Sequence, residues 1–263
     1  MLFCNHVQAP CDGLDTENFG YFIFLFPLKA PERSSKTINM CEVTARPNAA
    51  AQNETSCSLS KEKLEIIAEF AKKFRVPFEE LMDKLKLKDN CYIVPLYWFE
   101  EHRNCLIEIF SNSRPEYMKY YLDGRIRAPS ETERYFYTAV LGRMWDENPS
   151  RTICFIIDYN NQSVGRIAIG ALLVDGSKPP EIGYALQEEF AGRGLTSAAV
   201  GALIRIITYL VDKGFYVINK ITAICRVENL ASKKVLLKNN FVLTGDTKVS
   251  PDGVRNVFVY DLK

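Results

Sequence analysis

Histidine is scarce in this chain, with two residues among 263. The eight cysteines, Cys4, Cys11, Cys41, Cys57, Cys91, Cys105, Cys154 and Cys225, are irregularly spaced and form no Cys-x-x-Cys. A structural zinc site wants four such ligands at short paired spacings, so the pattern argues against a metal. Charge of either sign is not in excess: the formal net charge is +1. No global field therefore calls for nucleic acid or an anionic membrane as partner. Near the start the longest apolar run is Tyr21 to Leu28, too short to span a bilayer. Asp12, Asp15 and Glu17 precede it where a secretory signal would carry lysines. The expectation is a cytoplasmic protein, its thiols kept reduced, with no export signal and no membrane span. Cys154 and Cys225 fall in apolar strand patterns and are expected as buried thiols.

What is present suffices for one large domain or two small ones, since 47% of the residues are hydrophobic. We divide the chain into residues 1–57, 58–89 and 90–263. In the first segment, Phe22-Ile23-Phe24-Leu25-Phe26 reads as one buried strand closed by Pro27, and residues 37–58 read as a linker. In the second, Leu64, Ile66, Ile67, Phe70 and Phe74 recur at helical spacing, and Pro77 opens a second helix with Phe78, Leu81, Met82 and Leu85 on one face. This helical hairpin is either a layer packed on the main domain or a DNA-reading helix-turn-helix. Eight basic against six acidic residues between Lys61 and Lys88 is thin for DNA. A protein-binding or substrate-positioning role fits better.

The main domain starts with a strand at Tyr92 to Leu96, then an amphipathic helix from Glu100 to Ser111. An aromatic, basic stretch from Tyr117 to Ile126 follows. Ser130-x-x-Glu133 reads as the cap of a helix running through Met144. Asn160-Asn161 between residues 152–158 and 163–174 is a hairpin signature, and a second hairpin joins residues 242–247 to 254–262. Between these lies the stretch on which the chain is organised. Glu181-Ile182-Gly183-Tyr184-Ala185-Leu186-Gln187 is a half-apolar strand pattern. Ala191-Gly192-Arg193-Gly194-Leu195-Thr196-Ser197 then leads into a long apolar helix to about Lys213. A strand, a glycine turn and a helix present free backbone N–H groups to an anion, and the glycines permit close approach. Ile221 to Cys225 reads as a strand, and a helix begins near Asn229 with Ala231, Val235 and Leu236 as its stripe, leaving through Asn239-Asn240-Phe241.

The ordered set Glu-Ile-Gly-Tyr-x-Leu, Phe-x-Gly-x-Gly, Asn-x-x-Ser-x-x-x-Leu and Asn-Phe resembles the GNAT acetyltransferase superfamily, and within it the ribosomal-protein N-terminal acetyltransferases. The resemblance covers about Tyr92 to Lys263. It implies an α/β (α+β) fold with a largely antiparallel central sheet flanked by helices, and acetyl-CoA as co-substrate with no metal. It further implies pantetheine along Tyr184, Ala185 and Leu186, and pyrophosphate on Gly192, Arg193, Gly194, Leu195, Thr196 and Ser197, with Asn229 reaching the cofactor from the next helix. Glu181 becomes the candidate base, directly or through a water, and Ser232 or water the candidate acid. Glu181 also reads as an ordinary strand-end carboxylate, and Tyr184 as a core aromatic. Three positions depart from the family pattern: Ala191 and Thr196 in the turn, and Leu236 where many relatives carry a tyrosine. Tyr117, Tyr120, Tyr121, Arg125 and Arg127 either line the acceptor cleft or pin a loop. The acceptor implied is a primary amine, on a protein or on a small polyamine-like molecule that Glu181, Glu188 and Glu189 would suit. The alternative is a non-catalytic acyl-CoA-binding or docking module, and residues 1–88 are free to hold a protein partner.

Overall fold

The computed structural model describes residues 59–88, 90–121, 124–147, 150–172, 178–250 and 253–262. The expected strand at Phe22–Phe26 and the linker after it lie outside the described residues, as do Cys4, Cys11, Cys41 and Cys57.

Ser60 opens α1 (Lys61–Lys73), its Oγ accepting from the Lys63 amide at 3.4 Å. Arg75 takes a φ of 46° after it, and Pro77 starts α2 (Phe78–Leu85). Ile67 and Phe70 of α1 and Leu81 and Leu85 of α2 are fully buried in the same core as the sheet. The hairpin is thus a layer of the main body. A short β1 (Lys86–Lys88), unmarked in the sequence, pairs with β2 (Cys91–Pro95). α3 (Glu100–Ile107) passes into a π-helical turn at Glu108–Asn112, and α4 (Pro115–Met118) follows. The next helix corrects the expected cap. α5 (Pro129–Thr132) is capped at Ala128, two residues before the expected Ser130, because Glu131 folds back to accept from the Ala128 amide at 3.0 Å. Glu133 instead pairs with Arg103. The chain then runs through a π-helical stretch, Glu133–Val140, into α6 (Leu141–Trp145).

β3 (Ile153–Tyr159) and β4 (Gln162–Gly170) are joined by Asn160 and Asn161 at φ 52° and 61°, the doubly left-handed turn the dipeptide favours. β5 (Glu181–Leu186), α7 (Leu195–Asp212), β6 (Lys220–Arg226), α8 (Leu230–Lys238), β7 (Val242–Ser250) and β8 (Gly253–Asp261) complete the fold. One eight-stranded sheet has the order β1-β2-β3-β4-β5-β6-β8-β7, antiparallel except for β5 beside β6. α7 is long and apolar enough to cross a membrane by length and composition, but here Ala199, Leu203, Ile206, Ile207 and Leu210 are buried in the core. Cys91, Cys105, Cys154 and Cys225 are free and buried.

The register sorts the side chains into two faces, because strand neighbours in direct register share a face and successive residues alternate. Arg166 lies opposite Ala185, and Ile167 opposite Tyr184. Arg166 stacks on Phe136 and is bonded to Tyr121, which puts α3 to α6 on its face. Tyr184 reaches Ser232 of α8 on the other face.

A buried ammonium fastens α1 to the sheet. Lys63 is 1% exposed. Its Nζ donates to Asp158 Oδ2 at 2.5 Å, Glu101 Oε1 at 2.8 Å and the Asn161 carbonyl at 3.0 Å. Ser163 holds the same Glu101 oxygen through its amide, at 2.8 Å, and its hydroxyl, at 2.7 Å. Removing the ammonium strands the fully buried Asp158 carboxylate, while Glu101 keeps contact with water. Lys63→Ala should therefore lower unfolding stability by about 3–5 kcal/mol. Urea denaturation checks this, and a loss below about 1 kcal/mol, the size of a surface pair, would contradict it.

Candidate active site

β5 and β6 share a single registered pair, Glu181 with Thr222, sealed by Thr222 donating to the Pro180 carbonyl at 2.8 Å. Beyond it the two parallel strands part. The register of β5 on β4 decides what faces the gap. The Gln187 amide donates to the Val164 carbonyl at 2.8 Å, so odd-numbered residues of β5 aim their amides at β4. The N–H and C=O of Tyr184 and Leu186 therefore point into the gap, while those of Ala185 are spent on the β4 ladder. Of the three residues expected to line a ligand here with their backbone, two are turned toward it.

The gap leads to the glycine turn. After a single turn of 3₁₀ helix at Glu188–Phe190, Gly192 and Gly194 both take φ 77°, which L side chains rarely adopt. A Cβ on either would meet nothing within 4 Å, so the turn lies open. Gly194 is the N-cap of α7, without a side-chain cap, and the first helical bond runs from the Ala198 amide to its carbonyl at 3.1 Å. The amides of Leu195, Thr196 and Ser197 come before that bond, at the positive end of an 18-residue helix. Arg193 stacks on Phe190, 5.0 Å from the ring centroid, and its backbone carbonyl accepts from Lys88 at 3.5 Å. Ala191 is exposed, and Thr196 is half-buried. Ser197 accepts from the Asn239 side chain at 3.1 Å, which ties the turn to the end of α8.

Asn229 caps α8, its Oδ1 accepting from the Ser232 amide at 3.0 Å. Ser232 Oγ lies 2.8 Å from the Tyr184 hydroxyl. Burial pushes the Tyr184 phenol above the ordinary tyrosine range, against a smaller opposite pull from Ser232. Cys225 lies beside this pair, its thiol also raised by burial. Leu236 is fully buried and belongs to the core. Two residues weighed separately in the sequence, Tyr184 and Ser232, thus form one hydroxyl pair across the gap.

Glu181 is on the opposite face of β5 from Tyr184. Its side chain is 12% exposed, with Lys248 Nζ 3.8 Å from Oε2. Burial raises its carboxyl to about 7, while Lys248, Arg255 and Lys178 pull the other way. Lys248 and Arg255 were not marked as site residues in the sequence. They reach Glu181 only because β7 and β8 return to this part of the sheet, a register no local pattern carries.

The other expected residues divide. Glu188 is ion-paired with Arg114, so its charge is already matched. Tyr121 stacks on Phe110 and is bonded by Arg166, and Arg127 is 5% exposed. Arg125 pairs with Glu131 at 3.0 Å. That stretch is pinned by its own aromatics and ion pairs. Among the described residues, no three His, Cys, Asp or Glu side chains gather as a metal-ligand set.

A family model described as an acetyltransferase (GNAT) domain matches residues 98–242. A ribosomal-protein-serine acetyltransferase of Escherichia coli (strain K12) is 39% identical over 72 residues, 27% of this chain and 37% of that protein, so the match spans little more than a third of the relative. Among solved structures, a ribosomal L7/L12 alpha-N-protein acetyltransferase in complex with coenzyme A superposes with TM-score 0.55 at 22% identity, covering 68% of this chain and 97% of its own. The microcin C7 self-immunity acetyltransferase, in complex with acetyl-CoA and AMP, gives TM-score 0.54 at 17% identity, covering 67% of this chain and 94% of its own. These likenesses carry the fold, and acetyl-CoA is the family's co-substrate. The chain belongs to the GNAT family of acetyltransferases.

Proposed function

We propose that this protein transfers acetyl from acetyl-CoA to a primary amine, and that the amine is the α-amine of a protein or peptide. The observation that carries the reading is the placement of two proton-handling groups on opposite faces of β5. Acetyl-CoA supplies the activated acetyl group and departs as the thiol. The amides of Leu195, Thr196 and Ser197 hold the pyrophosphate at the helix N-terminus. Those of Tyr184 and Leu186 align the pantetheine arm in the gap, and Asn229 fixes the start of α8 beside it. With both reactants oriented, much of the barrier is removed before any chemistry.

An ammonium has no lone pair and must lose a proton before it attacks. Glu181, on one face, has a carboxyl near 7 and accepts that proton at neutral pH, directly or through water. On the other face Ser232 donates to the departing sulfur and is recharged by Tyr184, which burial keeps protonated. Ser232 thereby fills the role that Leu236 cannot. The ribosomal-protein acetyltransferase relatives support a protein α-amine as acceptor. A small polyamine-like amine is the second reading. A cytoplasmic location agrees with this chemistry.

Gly194→Trp places an indole in open space at the turn, so the protein itself has no clash to relieve beyond the left-handed backbone, which costs about 1–2 kcal/mol. Acetyl-CoA affinity by calorimetry should fall at least tenfold. Unchanged affinity would count against the turn as the phosphate site. Glu181→Gln should lower kcat about 100-fold, the lower end of what a positioned base contributes. In the parent protein kcat should fall as pH drops below about 7, because the carboxyl must be ionised to take the proton. That limb should vanish in the variant when coenzyme A release is followed from pH 5.5 to 9. An identical profile would remove Glu181 from the reaction.

A further inference from the structure

The C-terminal end of α8 holds one side chain in place. Asn239 is the C-cap, and Asn240 follows with φ 63°. The Phe241 amide donates to the Leu236 carbonyl at 3.1 Å, and the Asn240 amide to the Leu237 carbonyl at 3.1 Å. This is the paired closure in which a left-handed residue ends a helix, with Asn where Gly is commoner. Phe241 is buried and meets Tyr260 at 5.5 Å between ring centroids, so the closure is anchored in the core. The backbone of Asn239 is thereby fixed, and its side chain reaches across to the first turn of α7.

Two hydrogen bonds decide which atom of that amide is which. The Val235 carbonyl can only accept, so the atom 2.9 Å from it is the nitrogen. The same nitrogen is 3.1 Å from Ser197 Oγ. An NH2 group carries two hydrogens and accepts nothing, so one goes to Val235 and the other to Ser197. The Ser197 oxygen is then the acceptor, and its own hydrogen points elsewhere. Among the described residues that hydroxyl has no second partner. Ser197 is the third residue of α7, and helix side chains lean toward the N-terminus. Its hydroxyl therefore stands at the rim of the glycine turn, beside the amides of Leu195, Thr196 and Ser197. Gly201, one turn further along α7, leaves room for the contact: a Cβ there would lie 3.1 Å from Asn239 Oδ1.

We infer that Asn239 is a positioning residue for the cofactor: by donating to Ser197 it turns the serine hydrogen into the open turn, where a phosphate oxygen of acetyl-CoA accepts it. The inference rests on the reading above that the turn holds the pyrophosphate, and it adds a residue from the end of α8 to that site. Left to rotate, a serine hydroxyl in a first helical turn donates to nearby backbone groups instead. The bond from Asn239 fixes the rotor, with a lone pair toward α8 and the hydrogen away from it. The phosphate then meets a fourth donor beside the three amides. A hydrogen bond to an ionised acceptor is stronger than one between neutral groups, so the orientation has a measurable effect.

The test measures acetyl-CoA affinity by calorimetry on the full chain, in the parent protein, Ser197→Ala, Asn239→Ala and the double variant. Ser197→Ala should raise Kd about tenfold, the scale of one hydrogen bond to a charged group. Asn239→Ala should raise it at least threefold, and in turnover the change should fall on KM for acetyl-CoA rather than on kcat. Independent effects multiply, whereas residues that act as one unit do not. Because Asn239 acts through the Ser197 hydroxyl, Kd of the double variant should stay within about twofold of Ser197→Ala alone. Asn239→Leu, of similar volume and without a donor, takes the place of Asn239→Ala if the smaller side chain prevents folding. An unchanged Kd in either single variant overturns the inference, and so do effects that multiply in the double variant or a loss confined to kcat. Gly194→Trp separates this from the reading beneath it. If that variant loses acetyl-CoA while Ser197→Ala binds it as the parent does, the inference alone falls. If Gly194→Trp also binds as the parent does, the turn falls as the phosphate site and the inference falls with it.

Discussion

The separation of two parallel strands is the constraint on which this molecule is built. Parallel β-strands normally pair along their length and are buried as a continuous sheet. Here β5 and β6 are held together at Glu181 and Thr222, and their backbones then diverge. The unpaired edge of β5 leaves the amides of Tyr184 and Leu186 in want of a partner, a costly state for a strand interior unless a ligand's own amides supply one. Glycines at φ 77° end the gap at the N-terminus of α7. An extended polar chain ending in phosphates would find donors along one continuous path.

What keeps the gap open is distributed around it. β4 holds β5 from one side through a complete antiparallel register. On the other side α8 props the gap, with Ser232 touching Tyr184 and Asn239 touching Ser197. α7 is buried against the sheet between them, and α2 packs on its far side, where Tyr209 meets Glu80 at 2.6 Å. α1 is locked by Lys63 to Asp158 and Glu101. The helical hairpin is therefore part of the scaffold that positions the site.

Much of this was legible in the sequence where the signal is local. Asn160-Asn161 announced its turn, Gly192 and Gly194 announced theirs, and the apolar period of α7 and the cap at Asn229 marked the two helices that border the gap. Non-local pairings were not legible. β1 is three residues long and has no pattern of its own. Glu131 displaced the expected Ser130 cap because Pro129 already fixes a helical φ and a carboxylate two residues on can reach the Ala128 amide. The Tyr184–Ser232 pair, the buried Lys63 and the approach of Lys248 to Glu181 all depend on register and on strand order, which spacing along the chain does not encode.

We propose that the parted edge of β5 and the amides of the α7 N-terminus bind acetyl-CoA together. Hydrogen exchange read by mass spectrometry, with and without saturating acetyl-CoA, tests it most directly. Peptides covering Tyr184 to Ala198 should become the most protected in the chain, while the β3–β4 hairpin stays unchanged. Unaltered exchange across that stretch, or protection confined to another surface, would contradict it.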